Sequence, residues 1–144
     1  MFTIGVFAII FDQQRRILLC HRNDYDLWNL PGGGLETGEI PWEGVIREVK
    51  EEVGLDVDVV KLQGVYSKPD MNEIVFSFIC KHVGGEMTLT DEADQIQYFS
   101  FEDIPKNTSP KQLDRIKDAL SENDLVLKVH TGPSSRTLIE QGKL

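Results

Sequence analysis

The order of the predicted elements indicates an α/β fold in which a mixed sheet lies between helices. Two strands come first, then a helix, three further strands and a second helix. The chain has 144 residues, a length that suits one domain with a sizeable core. Its composition, with 40% hydrophobic and 27% charged residues, is typical of a globular protein. We therefore expect a single domain over residues 1–144.

The first two strands are expected at residues 2–11 and 15–21, because both runs are rich in β-branched and aromatic residues. A short polar stretch joins them, and the pair is interpreted as a hairpin. The following segment contains Pro31 and the three consecutive glycines Gly32–Gly34, which are unfavourable inside a helix. We interpret this segment as a shaped loop.

A helix is predicted at Pro41–Val53, because Pro41 suits its first turn and Gly54 suits the position after its end. Beyond this helix, strands are predicted at residues 57–66, 73–82 and 95–101.

The second helix is predicted to begin at Ser109 and Pro110, and it carries Leu113, Ile116 and Leu120 on one face. Residues 121–144 have a less regular pattern and are interpreted as a C-terminal appendage. Residues 125–129 are a candidate for a short strand within it.

The formal net charge of −9 argues against general binding to nucleic-acid backbones or anionic membranes. The two cysteines, Cys20 and Cys80, lie in apolar stretches without zinc-site spacing, so we expect reduced thiols in the core. The apolar run at the start is too short to span a bilayer and lacks the features of a signal peptide. We predict a cytoplasmic location.

On a helical wheel, the apolar residues of the first helix occupy one sector about 100° wide, which is the predicted buried face. These residues are Trp42, Val45, Ile46, Val49 and Val53. Glu48, Glu51 and Glu52 fall in the neighbouring sector, where their like charges repel one another. A hard divalent cation would compensate this repulsion and would let an acidic protein hold an anion. The alternative interpretation is an acidic helix face that is merely solvated.

The segment from residue 33 reads GGLETGEIPWEGVIREVKEEVGL and resembles the Nudix box. The box is Gly, five residues, Glu, seven residues, then Arg-Glu-apolar-x-Glu-Glu-x-Gly-apolar. Every specified position is filled, by Gly33, Glu39, Arg47, Glu48, Glu51, Glu52 and Gly54. Such a match over fixed spacing is improbable by chance. The resemblance implies an α/β/α sandwich with a mixed β-sheet. One departure is Ile40, where the family often has a Ser or Thr that caps the helix.

The resemblance also implies a metal site for Mg²⁺ or Mn²⁺. Glu48 and Glu52 are the implied principal ligands, and Glu51 is a further ligand or the group that orients or deprotonates the water. The backbone carbonyl of Gly32 matches a position that often completes the metal shell. Family members often add a carboxylate from a later loop, and Glu92 is the candidate for it, although a solvated turn is the alternative.

Other residues are implied to support this site or to meet the substrate. Arg47 and Glu39 are implied partners that hold the loop against the helix and orient a glutamate, a structural role with catalytic consequences. Gly33 and Gly54 are structural positions of the box. The sequence also provides three weaker candidates for substrate contacts: Arg22 for a phosphate, and Trp28 and Tyr66 for stacking on a base.

The implied activity is hydrolysis of a diphosphate linkage by metal-activated water. The first choice of substrate is a nucleoside diphosphate linked to another group, such as ADP-ribose or a nucleotide sugar. Pro69 lies fifteen residues after Gly54, a position associated in the family with ADP-ribose hydrolases.

Two alternatives stay open. The first alternative is a nucleoside triphosphate pyrophosphohydrolase that clears damaged nucleotides. The second is a non-catalytic regulatory module that binds a nucleotide. The module is disfavoured because Glu48, Glu51 and Glu52 are all present. Exposed strand edges are compatible with a homodimer.

Overall fold

The computed structural model describes residues 1–121 and 124–144. In chain order the strands are β1 (Thr3–Ile10), β2 (Ile17–Arg22), β3 (Trp28–Asn29), β4 (Gly32–Gly34), β5 (Leu55–Lys68), β6 (Glu73–Gly85), β7 (Ala93–Phe99) and β8 (Val126–Val129). The helices are α1 (Pro41–Val53), α2 (Pro110–Leu120) and α3 (Ser135–Glu140). Single 3-10 turns lie at Pro69–Met71 and Phe101–Asp103.

The strands form two sheets. One has the order β4-β1-β6-β5-β8, and the other has the order β3-β2-β7. The larger sheet is mixed, because β6 runs parallel to β1 and antiparallel to β5. This confirms the predicted α/β class with a mixed sheet.

The two faces of β1 contribute to different cores. Val6, Ala8 and Ile10 belong to the core that includes the buried valines of α1. Ile9 belongs to a second core with Ile116 of α2. Since side chains alternate between the two faces of a strand, the strands lie between α1 on one side and α2 on the other. The α/β/α sandwich is therefore present.

The predicted hairpin between the first two strands is wrong. β1 pairs with β4 and β6, whereas β2 pairs with β3 and β7. The ladder pairing between the two runs is limited to an isolated bridge between Phe11, just after β1, and Ile17. Other strands occupy both edges of β1 and both edges of β2, so the two strands belong to different sheets. The glycine segment is also not entirely a loop, since Gly32–Gly34 pairs with β1 as an edge strand.

The predicted bounds of α1 are confirmed, and so are most residues of its buried face. Val45, Val49 and Val53 are fully buried. Ile46 is half-buried, and Trp42 departs from the prediction, because 57% of it is exposed. It lies in the first turn and lines an open apolar groove beside Leu62 of β5, so the sheet covers only part of its ring.

The residues at the two ends of α1 behave as the sequence predicts. Ile40 occupies the N-cap position and makes no side-chain capping bond, as its apolar side chain predicts. Gly54 ends the helix with φ of 81°, and its N–H donates to the Lys50 carbonyl. A Cβ at this position would lie 2.6 Å from the carbonyl oxygen of Glu86, so both conformation and space require glycine.

The described part of the C-terminal segment adds to the larger sheet. β8 runs parallel to β5, and the His130 N–H donates to the Ser67 carbonyl just beyond it. Within residues 1–121 and 124–144, no helix is long and apolar enough to cross a membrane.

Candidate active site

Three carboxylates from two parts of the chain meet beside the C-terminal half of α1. Glu48 and Glu52 lie one turn apart on this helix, and Glu92 belongs to the loop before β7. One oxygen of each lies within 4.8 Å of the others. Oxygens bound to one Mg²⁺ at about 2.1 Å lie at most about 4.2 Å apart, so small side-chain rotations suffice. The donor set therefore fits a hard divalent cation.

Glu52 is the most buried member of this cluster, with 8% of its surface exposed. Its Oε2 accepts a hydrogen bond from the Gly32 N–H at 3.0 Å, and its Oε1 accepts one from the Cys20 thiol at 3.0 Å. Burial raises the pKa of Glu52 to about 7, and it raises the pKa of the Cys20 thiol well above its usual value. Both donors are therefore neutral, and neither neutralises the charge of the ionised carboxylate.

Glu48 packs against the glycine segment that precedes the helix. A Cβ on Gly33 would lie 2.7 Å from Oε2 of Glu48, so the carboxylate occupies the space that a larger residue would need. Burial also raises the pKa of Glu48, although Arg47 Nη1 donates to its Oε1 at 3.1 Å. Glycine at position 33 therefore leaves the space that the side chain of a candidate metal ligand occupies.

Arg47 connects the loop to the helix. It donates from Nε and Nη2 to the two oxygens of Glu39, at 2.6 and 2.8 Å, and from Nη2 to the Gly34 carbonyl at 3.3 Å. Nη1 also donates to Glu51 at 3.0 Å. The hydrogen bonds from Arg47 lower the pKa of Glu39 to about 2. The expected Arg47–Glu39 pair is therefore present, and its guanidinium also reaches the glutamates of α1.

Glu51 stands outside the three-carboxylate cluster. Its side chain is 52% exposed, and its Oε2 is held by Arg47. The helical wheel placed Glu51 with Glu48 and Glu52, but in the structure the cluster of carboxylates does not include it. Its role as a ligand or as the group that acts on the water stays a prediction.

Thr90 was not anticipated from the sequence. Its hydroxyl donates to the backbone carbonyl of Glu52 at 3.0 Å and accepts from the Glu92 N–H at 3.2 Å. One side chain thus joins the end of α1 to the loop that carries the third carboxylate. A Thr two residues before an acidic residue is the local pattern of such a turn, but its link to α1 depends on the fold.

A cavity of about 340 Å³ opens beside the cluster. It is lined by Phe7, Arg22, Asn23, Asp24, Asn29, Leu30, Gly32, Gly33, Glu52, Asp91, Glu92 and Gln112. The lining contains four carboxylates and a single cationic side chain, that of Arg22. Arg22 is itself paired with Asp24 through two hydrogen bonds, at 2.7 and 2.6 Å. An anionic ligand in this cavity therefore needs additional cations.

The aromatic residues considered for base stacking lie elsewhere. Trp28 is 8% exposed, and its ring packs edge-on against Phe99 in the core beside α2. Tyr66 is fully buried and stacks on His130. Neither lines the cavity, because both belong to the packing between the sheets and α2. Of the three candidates for substrate contacts, only Arg22 faces the cavity.

A family model described as the NUDIX domain matches residues 1–120. The ADP-ribose pyrophosphatase of Methanocaldococcus jannaschii is 38% identical over 104 residues, which cover 67% of this chain and 62% of that protein. A Bacillus subtilis protein whose name refers to an 8-oxo-dGTP diphosphatase is 32% identical over 119 residues, covering 82% of this chain and 80% of that protein.

The structural comparison agrees with the sequence matches. The crystal structure of an ADP-ribose pyrophosphatase from Streptococcus suis 89-1591 superposes with a TM-score of 0.75 at 27% identity. The match covers 90% of this chain and 100% of that one.

Proposed function

The chain belongs to the Nudix family of hydrolases, and we propose that it uses Mg²⁺ or Mn²⁺ to cleave the diphosphate linkage of a nucleoside diphosphate joined to another group, such as ADP-ribose or a nucleotide sugar. One observation carries this proposal: the cluster of Glu48, Glu52 and Glu92 borders a cavity that is lined by four carboxylates and one arginine. A diphosphate is repelled by such walls unless divalent cations lie between them.

We assign Glu48, Glu52 and Glu92 to holding the cation, with the Gly32 carbonyl as a further ligand. A bound divalent cation supplies charge neutralisation at phosphate oxygens and lowers the pKa of water. Arg22 faces the cavity, and its guanidinium is suited to a phosphate group if it exchanges its bonds to Asp24 for bonds to the substrate.

Glu51 and Arg47 complete the assignment. Glu51 is exposed beside the cluster, so it is the group we assign to orienting or deprotonating the attacking water. Arg47 touches both Glu48 and Glu51, and it therefore positions a ligand and this acid–base group together. Its pairing with Glu39 fixes the guanidinium in place.

Two lines of support favour the linked nucleoside diphosphate. The Methanocaldococcus jannaschii relative and the Streptococcus suis structure are both named ADP-ribose pyrophosphatases. Pro69 is present at the position associated with that activity, although it starts a 3-10 turn and does not line the cavity. The Bacillus subtilis relative supports the second candidate, a nucleoside triphosphate pyrophosphohydrolase.

Product analysis on a substrate panel tests the proposal. Purified protein is incubated with Mg²⁺ and ADP-ribose, a UDP-sugar, dGTP or 8-oxo-dGTP, and the products are separated by ion-exchange chromatography. We expect two monophosphates from ADP-ribose as the fastest reaction. Faster release of pyrophosphate from a triphosphate would replace our first choice by the second.

A pair of variants on one helix tests the site. Glu52→Gln should lose at least about 100-fold in kcat/KM with Mg²⁺, because a principal charged ligand is removed. Glu43→Gln is the matched control, since Glu43 is exposed on the first turn of α1 and lies outside the cluster. Equal activities of the two variants would contradict the assignment of Glu52.

The location, partners and oligomeric state of the enzyme stay predictions. We propose a cytoplasmic enzyme with a small nucleotide-like substrate and without nucleic-acid or membrane partners, in keeping with a net charge of −9. A homodimer is proposed from the exposed edge strand β8, whose Leu127 and Val129 are 74% and 61% exposed. Light scattering at several protein concentrations measures the oligomeric state.

A further inference from the structure

We propose that Cys20 is a positioning residue of the metal site, whose thiol holds Glu52 in the orientation that binds the cation. The inference rests on the proposed function, because it takes Glu52 as a metal ligand. Cys20 is 32 residues away in sequence and lies on β2, on the face of that strand that points towards α1. The sequence assigns it only a core position.

The geometry identifies Glu52 as the acceptor of the thiol. Cys20 Sγ lies 3.0 Å from Oε1 of Glu52 and 3.5 Å from the carbonyl oxygen of Asn29. A thiol has one hydrogen to donate. The carboxylate is both nearer and charged, and hydrogen bonds to charged acceptors are stronger than those to neutral ones. The main contact of this buried thiol is therefore with a candidate metal ligand.

Two donors from different segments hold the two oxygens of Glu52. The Gly32 N–H reaches Oε2 and the Cys20 thiol reaches Oε1, each at 3.0 Å. Each carboxylate oxygen has two lone pairs, so one lone pair on each oxygen remains for a cation. Without the thiol, the Gly32 N–H would be the one hydrogen-bond donor left to the carboxylate among the described residues. The two contacts together fix the plane of the group that faces Glu48 and Glu92.

Cys80 provides a matched control within the same protein. It belongs to the same core cluster as Cys20, and the two are 3% and 1% exposed. Among the hydrogen bonds of residues 1–121 and 124–144, none involves the Cys80 side chain. Equivalent substitutions at the two positions therefore change the side-chain volume of one core equally, but only those at Cys20 remove a contact with Glu52.

Binding of Mn²⁺ in the absence of substrate tests the inference. The concentration of free Mn²⁺ is followed by electron paramagnetic resonance for the parent protein and for Cys20→Val, Cys20→Ala, Cys20→Ser, Cys80→Val and Cys80→Ala. Valine fills the space of the thiol without a donor, whereas serine keeps a donor. We expect Cys20→Val and Cys20→Ala to raise the dissociation constant about tenfold, the lower end of the range for partners of metal ligands.

The remaining variants separate positioning from packing. Both Cys80 variants should bind Mn²⁺ like the parent, and Cys20→Ser should recover most of the affinity. In turnover, Cys20→Val should need more Mg²⁺ for half-maximal rate while its kcat at saturating Mg²⁺ stays near that of the parent.

Two results would overturn the inference while leaving the proposed function intact: parental affinity in Cys20→Val, or equal losses in the Cys20 and Cys80 variants. Absence of Mn²⁺ binding by the parent would instead refute the metal site itself.

Discussion

Replacing Glu52 by glutamine should stabilise the metal-free protein at pH 8 although it removes the metal-dependent activity. Burial raises the pKa of this carboxyl from 4.5 to about 7 in the folded protein. Above pH 4.5 the unfolded chain ionises Glu52 freely, whereas the folded protein must ionise it in a buried site. The destabilisation is therefore absent below pH 4.5, grows between pH 4.5 and 7, and is complete above pH 7. Glutamine has no such ionisation.

The pKa values set the magnitude of this effect. Each unit between 4.5 and about 7 corresponds to about 1.4 kcal/mol, so ionised Glu52 lowers the free energy of unfolding by about 3 kcal/mol at pH 8. Glu52 is only 8% exposed, so solvent screening reduces this value little. Glutamine has nearly the same shape, and its carbonyl oxygen can still accept the hydrogen bond from the Gly32 N–H.

Urea unfolding in EDTA at pH 8 and at pH 5 measures the difference. We expect Glu52→Gln to unfold at a higher urea concentration than the parent at pH 8. The difference in unfolding free energy between the two proteins should shrink towards pH 5. Mn²⁺ should then stabilise the parent more than the variant, because ligands that bind only the folded state stabilise it. Glu39→Gln is the control with the opposite sign, since Arg47 lowers the pKa of Glu39 to about 2. A variant at position 52 that is less stable than the parent at pH 8 in EDTA would refute this reasoning.

Three further substitutions probe the surroundings of the site. Gly33→Ala should weaken Mn²⁺ binding, measured by the same resonance titration, because the added Cβ would lie 2.7 Å from Oε2 of Glu48 and must displace it. Thr90→Val should also weaken binding, since it breaks the hydrogen bond that ties the Glu92 loop to α1; unchanged Mn²⁺ affinity would rule out this tether. Tyr66→Phe should lower the free energy of unfolding in urea by about 1–2 kcal/mol without changing KM, because its hydroxyl bonds to α2 and lies outside the cavity. A raised KM in that variant would instead indicate that Tyr66 contacts the substrate.

The local features of the site were predictable because they lie within one helix and the loop before it. The periodicity of the first helix and its flanking Pro41 and Gly54 predicted its bounds correctly. The same periodicity placed Glu48 and Glu52 beside the buried face, since residues four apart share one side of a helix. These inferences required no knowledge of how distant segments pack.

The wheel failed where other segments decide the outcome. It grouped Glu51 with Glu48 and Glu52, but the Glu51 side chain is half exposed, and the third carboxylate of the cluster is that of Glu92 from a distant loop. It also placed Trp42 in the core, although the sheet covers only part of its ring. The contact of Cys20 with Glu52 joins a strand to a helix, and spacing in the sequence contains no sign of it.

The site separates its acids by the kind of partner each receives. Glu39, Glu48 and Glu51 all accept hydrogen bonds from the guanidinium of Arg47, so the protein supplies part of their counter-charge itself. Among residues 1–121 and 124–144, the donors that hydrogen-bond to the Glu52 side chain are both neutral, namely the Gly32 N–H and the Cys20 thiol. Neutral donors orient a carboxylate but leave its charge uncompensated, which explains why burial can raise its pKa to about 7. An arginine in place of Cys20 would stabilise the carboxylate more strongly and would also compete with a divalent cation for it. A weak, neutral donor is therefore the partner that best keeps Glu52 both oriented and available to the metal.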